Sequence, residues 1–319
     1  MKNSTAPNRK TGRMIAKNLI VLFTVALAGF CGIQAWFTDK RSAEANGIEV
    51  ECHAPNCIEI AVVGHDAPVP ANDKYTVGNI TLNKTNCKFL ENLQLTEITG
   101  DGTFFRKPAL IQSGGQAHVD TKAEWSEPTA NEHYLSFDLY IRSKSQYNIS
   151  IGKKSTIKPD APQLTTQDGN FSRDSVVGAV RFSVVDYKSA PPSKKLLWLP
   201  APNILLKQTT DEYTLSDDMP SGESYSHVYY DTNRVQHTVS STDVDKAFVV
   251  NNDGFDGGKF TYELGQNQNI AQLNKSSEND QFYSAMVTCN MWIEGEDAEA
   301  RLALVNGKFK VNLVLTKES

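Results

Sequence analysis

The sequence predicts a mainly β protein: an antiparallel β-sandwich or jelly roll with elaborated loops, preceded by one N-terminal hydrophobic helix. Three observations carry that expectation. Beyond residue 45, apolar and polar residues alternate in short runs, the period of a strand with one buried face. Clusters of Gly, Asn, Asp and Pro separate those runs. The only long apolar run lies in the first forty residues, behind a basic flank that holds no acid.

The elements follow in chain order. The apolar run is Leu19-Ile-Val-Leu-Phe-Thr-Val-Ala-Leu-Ala-Gly-Phe-Cys-Gly-Ile33, preceded by Lys2, Arg9, Lys10, Arg13 and Lys17. Positive charge before an apolar segment keeps the N-terminus inside and sends the rest outside. Two readings of this segment stay open. A cleaved signal peptide needs a small residue at the cut, which Ala35 supplies, with cleavage before Trp36. An uncleaved anchor needs roughly 20 apolar residues, and a run extended through Trp36 and Phe37 would hold the membrane through residues 15–37. A lipid anchor on Cys31 would want a small residue before it, and Phe30 is not small. Each reading places the remainder outside the cytoplasm, secreted or tethered to the outer face of the cell membrane. The expected division is a signal or anchor over residues 1–36, a linker over 37–46 and one extracytoplasmic domain over 47–319. A two-lobed version would break near 190–218.

Within that domain, residues 48–52 and 57–63 alternate as strands, and 75–82 and 89–95 are weaker candidates. Residues 104–129 read as loops with a short strand. The clearest strand is Tyr134-Leu-Ser-Phe-Asp-Leu-Tyr-Ile-Arg142, with Leu135, Phe137, Leu139 and Ile141 on one face. A further strand is expected at 147–151, then a loop over 158–174. Residues 176–185 are too β-branched for an easy helix and read as a strand. Pro191, Pro192, Pro200 and Pro202 mark residues 189–218 as a long crossover loop with a short apolar insertion at 196–199. Strand-like pieces follow at 225–230 and 247–250, and a polar connection, helical in part, over 267–280. Residues 285–294 form a strand with Val287, Cys289, Met291 and Ile293 on one face. Asn306-Gly307 is expected to turn a hairpin between 301–305 and 308–316, because Asn-Gly suits a two-residue type I′ turn.

The formal net charge of −5 argues against a nucleic-acid partner, whose phosphates need a basic face. Cys52, Cys57, Cys87 and Cys289 are an even set outside the apolar run, and export would permit disulfides. Cys52 with Cys57 would close a local loop, leaving Cys87 with Cys289 as a long-range clasp. The competing reading is four buried thiols acting as small hydrophobes. No G-x-S-x-G or H-E-x-x-H motif occurs, and the six histidines are scattered, so the sequence points away from an enzyme. Calcium is the most plausible metal: Asn251, Asn252, Asp253 and Asp256 crowd a Gly-rich turn, although the same residues make ordinary tight turns. The acidic stretch 294–299 is a second, weaker place for it. Aromatic residues that could stack on a sugar are Trp125, Trp198, Tyr229, Tyr230 and Trp292, with Trp125 and Trp198 the two ligand-binding candidates and core packing the competing fate.

Ala35-Trp-Phe-Thr-Asp39, after a Gly-containing apolar run, resembles the export signal of the TasA and camelysin proteins, and Glu44-Ala-Asn-Gly-Ile-Glu-Val50 resembles their first mature strand. The resemblance covers roughly residues 19–50. It implies a secreted β-sandwich of a Gram-positive bacterium, cut by a dedicated signal peptidase, in a family where several members build matrix fibres by lending a strand to the next subunit. Residues 137–142 and 288–295 look like exported proteins of Clostridia-type bacteria whose role is uncharacterised.

The expected function is therefore that of a non-enzymatic cell-surface or biofilm-matrix protein acting through protein–protein contact. Self-assembly would proceed by strand addition, with residues 36–50 as the donated segment. The alternatives are an extracellular glycan- or ligand-binding module and a secreted hydrolase, the latter needing a pair of carboxylates that the sequence does not single out.

Overall fold

The computed structural model describes residues 42–52, 58–113, 116–160, 166–167, 171–172, 176–200, 206–209, 212–215, 228–238, 248–250, 261–295 and 305–318. They belong to one compact unit. The signal or anchor, the cleavage residues Ala35 and Trp36, the membrane segment 15–37 and the calcium candidates Asn251, Asp253 and Asp256 lie outside the described residues. Among the described residues, no helix is long and apolar enough to cross a membrane.

The unit is mainly β. In chain order its strands are β1 (Ser42–Cys52), β2 (Glu59–Gly64), β3 (Ile80–Leu82), β4 (Glu97–Gly100), β5 (Phe105–Arg106), β6 (Leu110–Ser113), β7 (Gln116–Val119) and β8 (Leu135–Ser143). There follow β9 (Asn148–Ile151), β10 (Thr156–Pro159), β11 (Thr166–Gln167), β12 (Phe171–Ser172), β13 (Val180–Asp186), β14 (Ser193–Leu199), β15 (Leu206–Thr209) and β16 (Glu212–Leu215). The last are β17 (Val228–Tyr230), β18 (Gln236–Thr238), β19 (Phe248–Val250), β20 (Tyr262–Glu263), β21 (Gln268–Gln272), β22 (Tyr283–Glu294) and β23 (Val305–Glu318).

Two large sheets form the body. One runs β20-β10-β23-β1-β3, with β9 also on β23 and β21 on β9. The other runs β19-β14-β13-β22-β4-β5, with β8 on β22 and β2 on β8. Both sheets feed one buried apolar cluster. It takes Ile48 and Val50 from β1 and Phe309, Val311, Leu313 and Leu315 from β23. From the second sheet it takes Leu135, Phe137, Leu139 and Ile141, and Val287, Cys289, Met291 and Ile293. The period-2 faces expected for β8, β22 and β23 are thus the faces that are buried.

Several expectations need correction. The ladders are not all antiparallel: β1 pairs β23, β14 pairs β19 and β22 pairs β4 in parallel. The first strand starts at Ser42, inside the segment expected to be a linker. Asn306-Gly307 does not turn a hairpin, because β23 runs through it from Val305 to Glu318. Its register against β1 shifts there, between Ser42/Glu44, and shifts back between Ala45/Ile48 beside Asn46-Gly47, where Gly47 has φ 101°. Each Asn-Gly pair absorbs an extra residue in its strand, so the two bulges cancel and the inward faces stay aligned. Residues 176–179 form a helical turn, Val176–Ala179, before β13 begins. Phe89 lies in a short 3-10 turn, Lys88–Leu90, and the stretch 267–280 contributes strand β21 rather than helix.

The largest departure is at residues 189–218. The prolines there bracket a strand instead of filling a loop. β14 is a strand of the second sheet, paired with β13 from Phe182↔Trp198 to Asp186↔Ser193. Trp198, expected as a ligand residue, is instead fully buried in the main cluster and has no face to offer a sugar. Trp292 is buried as well. Trp198→Ala is expected to cost about 3–5 kcal/mol of stability, read from the denaturant midpoint at constant slope. A cost under about 1 kcal/mol would contradict the packing.

Candidate functional site

β8, β22 and β13 are neighbours, and a patch of their outward-facing residues is polar. Antiparallel register sets Thr288 opposite Asp138, and Asn290 opposite both Ser136 and Ser183. Such a face normally meets water. Here Ser136, Asp138, Ser183, Thr288 and Asn290 are all buried. A buried polar atom without a partner costs roughly 1–3 kcal/mol, so the arrangement demands a closed set of hydrogen bonds.

That set is present. The Thr288 hydroxyl donates to Asp138 Oδ1 at 2.7 Å. The Ser136 hydroxyl donates to Asn290 Oδ1 at 2.7 Å. Asn290 Nδ2 donates to the Gly102 carbonyl at 3.3 Å and to Ser183 Oγ at 3.4 Å, while the Ser183 hydroxyl donates to the same carbonyl at 2.8 Å. Gly102 brings its backbone onto the sheet at φ 92°, and a Cβ there would lie 2.9 Å from that of Ser183. Only glycine fits both conditions.

The turn that carries Gly102 is held by Asp101. Its Oδ1 accepts from the Thr103 amide and hydroxyl, each at 2.7 Å, and from the Phe104 amide at 3.0 Å. Lys194 Nζ donates to Asp101 Oδ2 at 3.0 Å and to the Asp101 carbonyl at 3.1 Å. Burial alone would raise the Asp101 pKa. The Lys194 ammonium and the Thr103 and Phe104 donors outweigh it and hold the carboxyl below its usual value. Tyr187 ties in from the end of β13, its hydroxyl donating to the Thr103 carbonyl at 2.8 Å. Burial pushes the Tyr187 pKa up.

His65 closes one side of the network. Its Nδ1 lies 3.0 Å from Asp138 Oδ1, and its ring sits 5.5 Å from that of Tyr187. On the other side the same sheet face turns apolar: Ile98, Phe105, Leu197, Leu199 and Trp292 form a second buried cluster, packed by Tyr134 and Tyr229. Phe105 stacks on Tyr134 at 4.3 Å. Trp125 lies beyond, half-buried, its indole N–H donating to the Asp120 carbonyl at 2.8 Å and its ring edge-on to Tyr230 at 5.5 Å.

Chemically this is a clamp. The serine hydroxyls are spent on Asn290 and Gly102, and the His65 ring faces carboxylates rather than a hydroxyl or thiol nucleophile. Among the described residues no group of three His, Cys, Asp or Glu is placed to hold a metal ion. Glu294 of the acidic stretch is buried and accepts from the Trp292 indole at 3.2 Å; residues 296–299 lie outside the described residues. The long-range disulfide is absent: Cys87 and Cys289 are free thiols. Cys289 sits mid-strand in β22 facing the main cluster, where burial, and the charge of Asp138 after it, push its pKa up. Cys52 is buried in the same cluster, and Cys57, its expected partner, lies outside the described residues.

Sequence reasoning missed this network. His65 stood among six scattered histidines, and Ser136, Asp138, Thr288 and Asn290 were not singled out beside the apolar residues that alternate with them. The one usable signal was positional: Ser136/Asp138 and Thr288/Asn290 repeat the same polar spacing on the two strongest strands.

Two outcomes follow. Lys194→Met strands the Asp101 carboxylate and is expected to cost about 3–5 kcal/mol in denaturant titrations. In the native protein the Asp101 contribution is present at neutral pH and lost as the pH falls below 3.8 through its lowered folded value, so the variant's stability flattens in that acid range. Thiol labelling of the folded protein should reach Cys87 but leave Cys289 untouched until denaturant is added; rapid native labelling of Cys289 would contradict its burial.

In comparison with known proteins, no family model, no curated protein and no solved structure matches the chain.

Proposed function

We propose that the chain is a non-enzymatic exported protein of the cell surface or extracellular matrix, acting by protein–protein contact through strand addition. One observation carries the reading. β1, the first strand of the unit, pairs with the last strand, β23, along its length, but β3 covers its other side only at Ile48, Glu49 and Val50. The backbone of residues 42–47 therefore offers a sheet edge with no strand partner among the described residues. Such an edge can accept an extended segment from another chain, the backbone giving affinity and alternate side chains giving register.

The N-terminal sequence supports the same reading. A basic flank and apolar run followed by Ala35-Trp-Phe-Thr-Asp39 favour export, by a cleaved signal or an N-terminal hydrophobic helix that anchors the chain. The fold that goes with it is a β-sandwich of jelly-roll type, its two sheets sharing one apolar cluster. In an assembly, the donated segment, within residues 36–50 of one copy, would pair along the uncovered side of residues 42–47 in the next. A glycan-binding reading keeps a narrower footing in Trp125 and Tyr230, whose paired rings are only half-buried.

Negative-stain microscopy and sedimentation of purified residues 36–319 are expected to give oligomers or fibres that grow with concentration. Monomers at every concentration would sink the assembly reading. Glycan-array binding lost on Trp125→Ala would favour the sugar-binding reading instead.

A further inference from the structure

We propose that His65 is a protonation-dependent latch: its imidazolium, set between the carboxylates of Asp138 and Asp66 over the ring of Tyr187, ties the end of edge strand β2 to the central strands of its sheet. The inference is independent of the proposed assembly. It rests on which protons the geometry requires.

β2 lies at the edge of the second sheet, held by β8 on one side and by a single bridge between Ile60 and Thr76 on the other. It ends at Gly64, and the chain reverses at once: the Ala67 amide donates to the Gly64 carbonyl, and Asp66 has φ 63°. His65 is the residue at the reversal. Its amide reaches the Ser136 carbonyl at 3.3 Å, and its side chain reaches Asp138, both on the neighbouring strand β8.

Asp138 is the fixed end of the latch. Its side chain is 5% exposed, and its Oδ1 already accepts from Thr288 on β22. A carboxylate oxygen only accepts, so the ring nitrogen 3.0 Å from it, Nδ1, must carry the proton. The opposite ring nitrogen, Nε2, lies 3.6 Å from Asp66 Oδ2. A neutral imidazole carries one proton. If Nδ1 holds it, the Nε2 lone pair faces the Asp66 carboxylate. Only the imidazolium turns an N–H toward both acids.

The other charged groups facing the ring leave this balance intact. From β8 comes Asp138, from the same turn Asp66, and from the end of β13 Tyr187, whose phenol burial keeps protonated. Tyr134 also senses the Asp66 charge and stays neutral. Lys194, on β14, is spent on Asp101. The hydrogen bond to Asp138 raises the His65 pKa above 6.5; burial works against it, and the charges of Asp138 and Asp66 add to it. A raised folded value makes the latch's contribution fully present below pH 6.5 and lost as the pH climbs through the folded value. His133, pushed down by burial, has the opposite sign, so the His65 contribution must be read as a difference between variants.

Three measurements on the purified protein test the latch. NMR titration of the histidine side chains should give His65 a midpoint above 6.5, lowered in Asp66→Asn, an exposed and structurally mild change. Denaturant titrations between about pH 6 and 9 should show wild-type stability falling with pH relative to His65→Asn. That substitution keeps a neutral donor near the place of Nδ1 but cannot take a charge. Amide exchange, corrected for intrinsic rate, should show protection of His65 and Ala67 falling across the same interval in the wild type. A His65 midpoint at or below 6.5, or parallel stability curves for wild type and variant, would overturn the proposal. If His65→Asn fails to fold, the wild-type midpoint and its response to Asp66→Asn decide alone.

Discussion

A strand buried on both faces loses stability for each polar atom it leaves without a partner. β22 is under that constraint. Its inner face is apolar and packs into the main cluster, and its outer face presents Thr288 and Asn290 to a layer that excludes water. Covering that layer with apolar side chains would strand those groups, so the chain covers it with backbone and polar side chains in matched positions. Gly102 supplies the carbonyl, Asp101 and Lys194 hold the turn, and Tyr187 and His65 close the margins. Where the outer face becomes apolar, at Leu197, Leu199 and Trp292, the cover becomes aromatic. The rest of the second sheet is arranged around this requirement.

The first sheet answers a different problem, which is how to join chain ends. β1 and β23 come from opposite ends of the unit and run in parallel, a pairing that needs the whole intervening chain as its crossover. The two Asn-Gly bulges keep register across it. A bulge on one strand alone would move the residues beyond it to the wrong face; one on each strand restores the alternation, and Ile48, Val50, Val311 and Leu313 all point inward. Because β3 covers so little of β1, this strand rests mainly on one neighbour. That asymmetry gives the strand-addition reading its physical basis.

The two features differ in what they ask of the protein. The polar clamp makes the second sheet specific, since unpaired buried groups would penalise any shifted register of β8, β22 and β13. The β1 edge leaves the first sheet open.

Much of the inner architecture was legible from sequence. The apolar alternation of Leu135 to Ile141, of Val287 to Ile293 and of Phe309 to Leu315 determined three strands and the faces they bury, because a period of two is a local property of the chain. The apolar run and its basic flank were equally legible, being a matter of composition within one short segment. What only the tertiary structure decided was the fate of residues whose role depends on distant neighbours. Asn306-Gly307 chose a bulge over a turn because β1 lies beside it. Trp198 became core because β13 and the opposite sheet enclose it. Asp138, Asn290 and His65 became a clamp because a turn from residue 102 covers their face. Local patterns record which way a side chain points; what lies on that side is set by contacts far away in sequence, and those only the folded chain supplies.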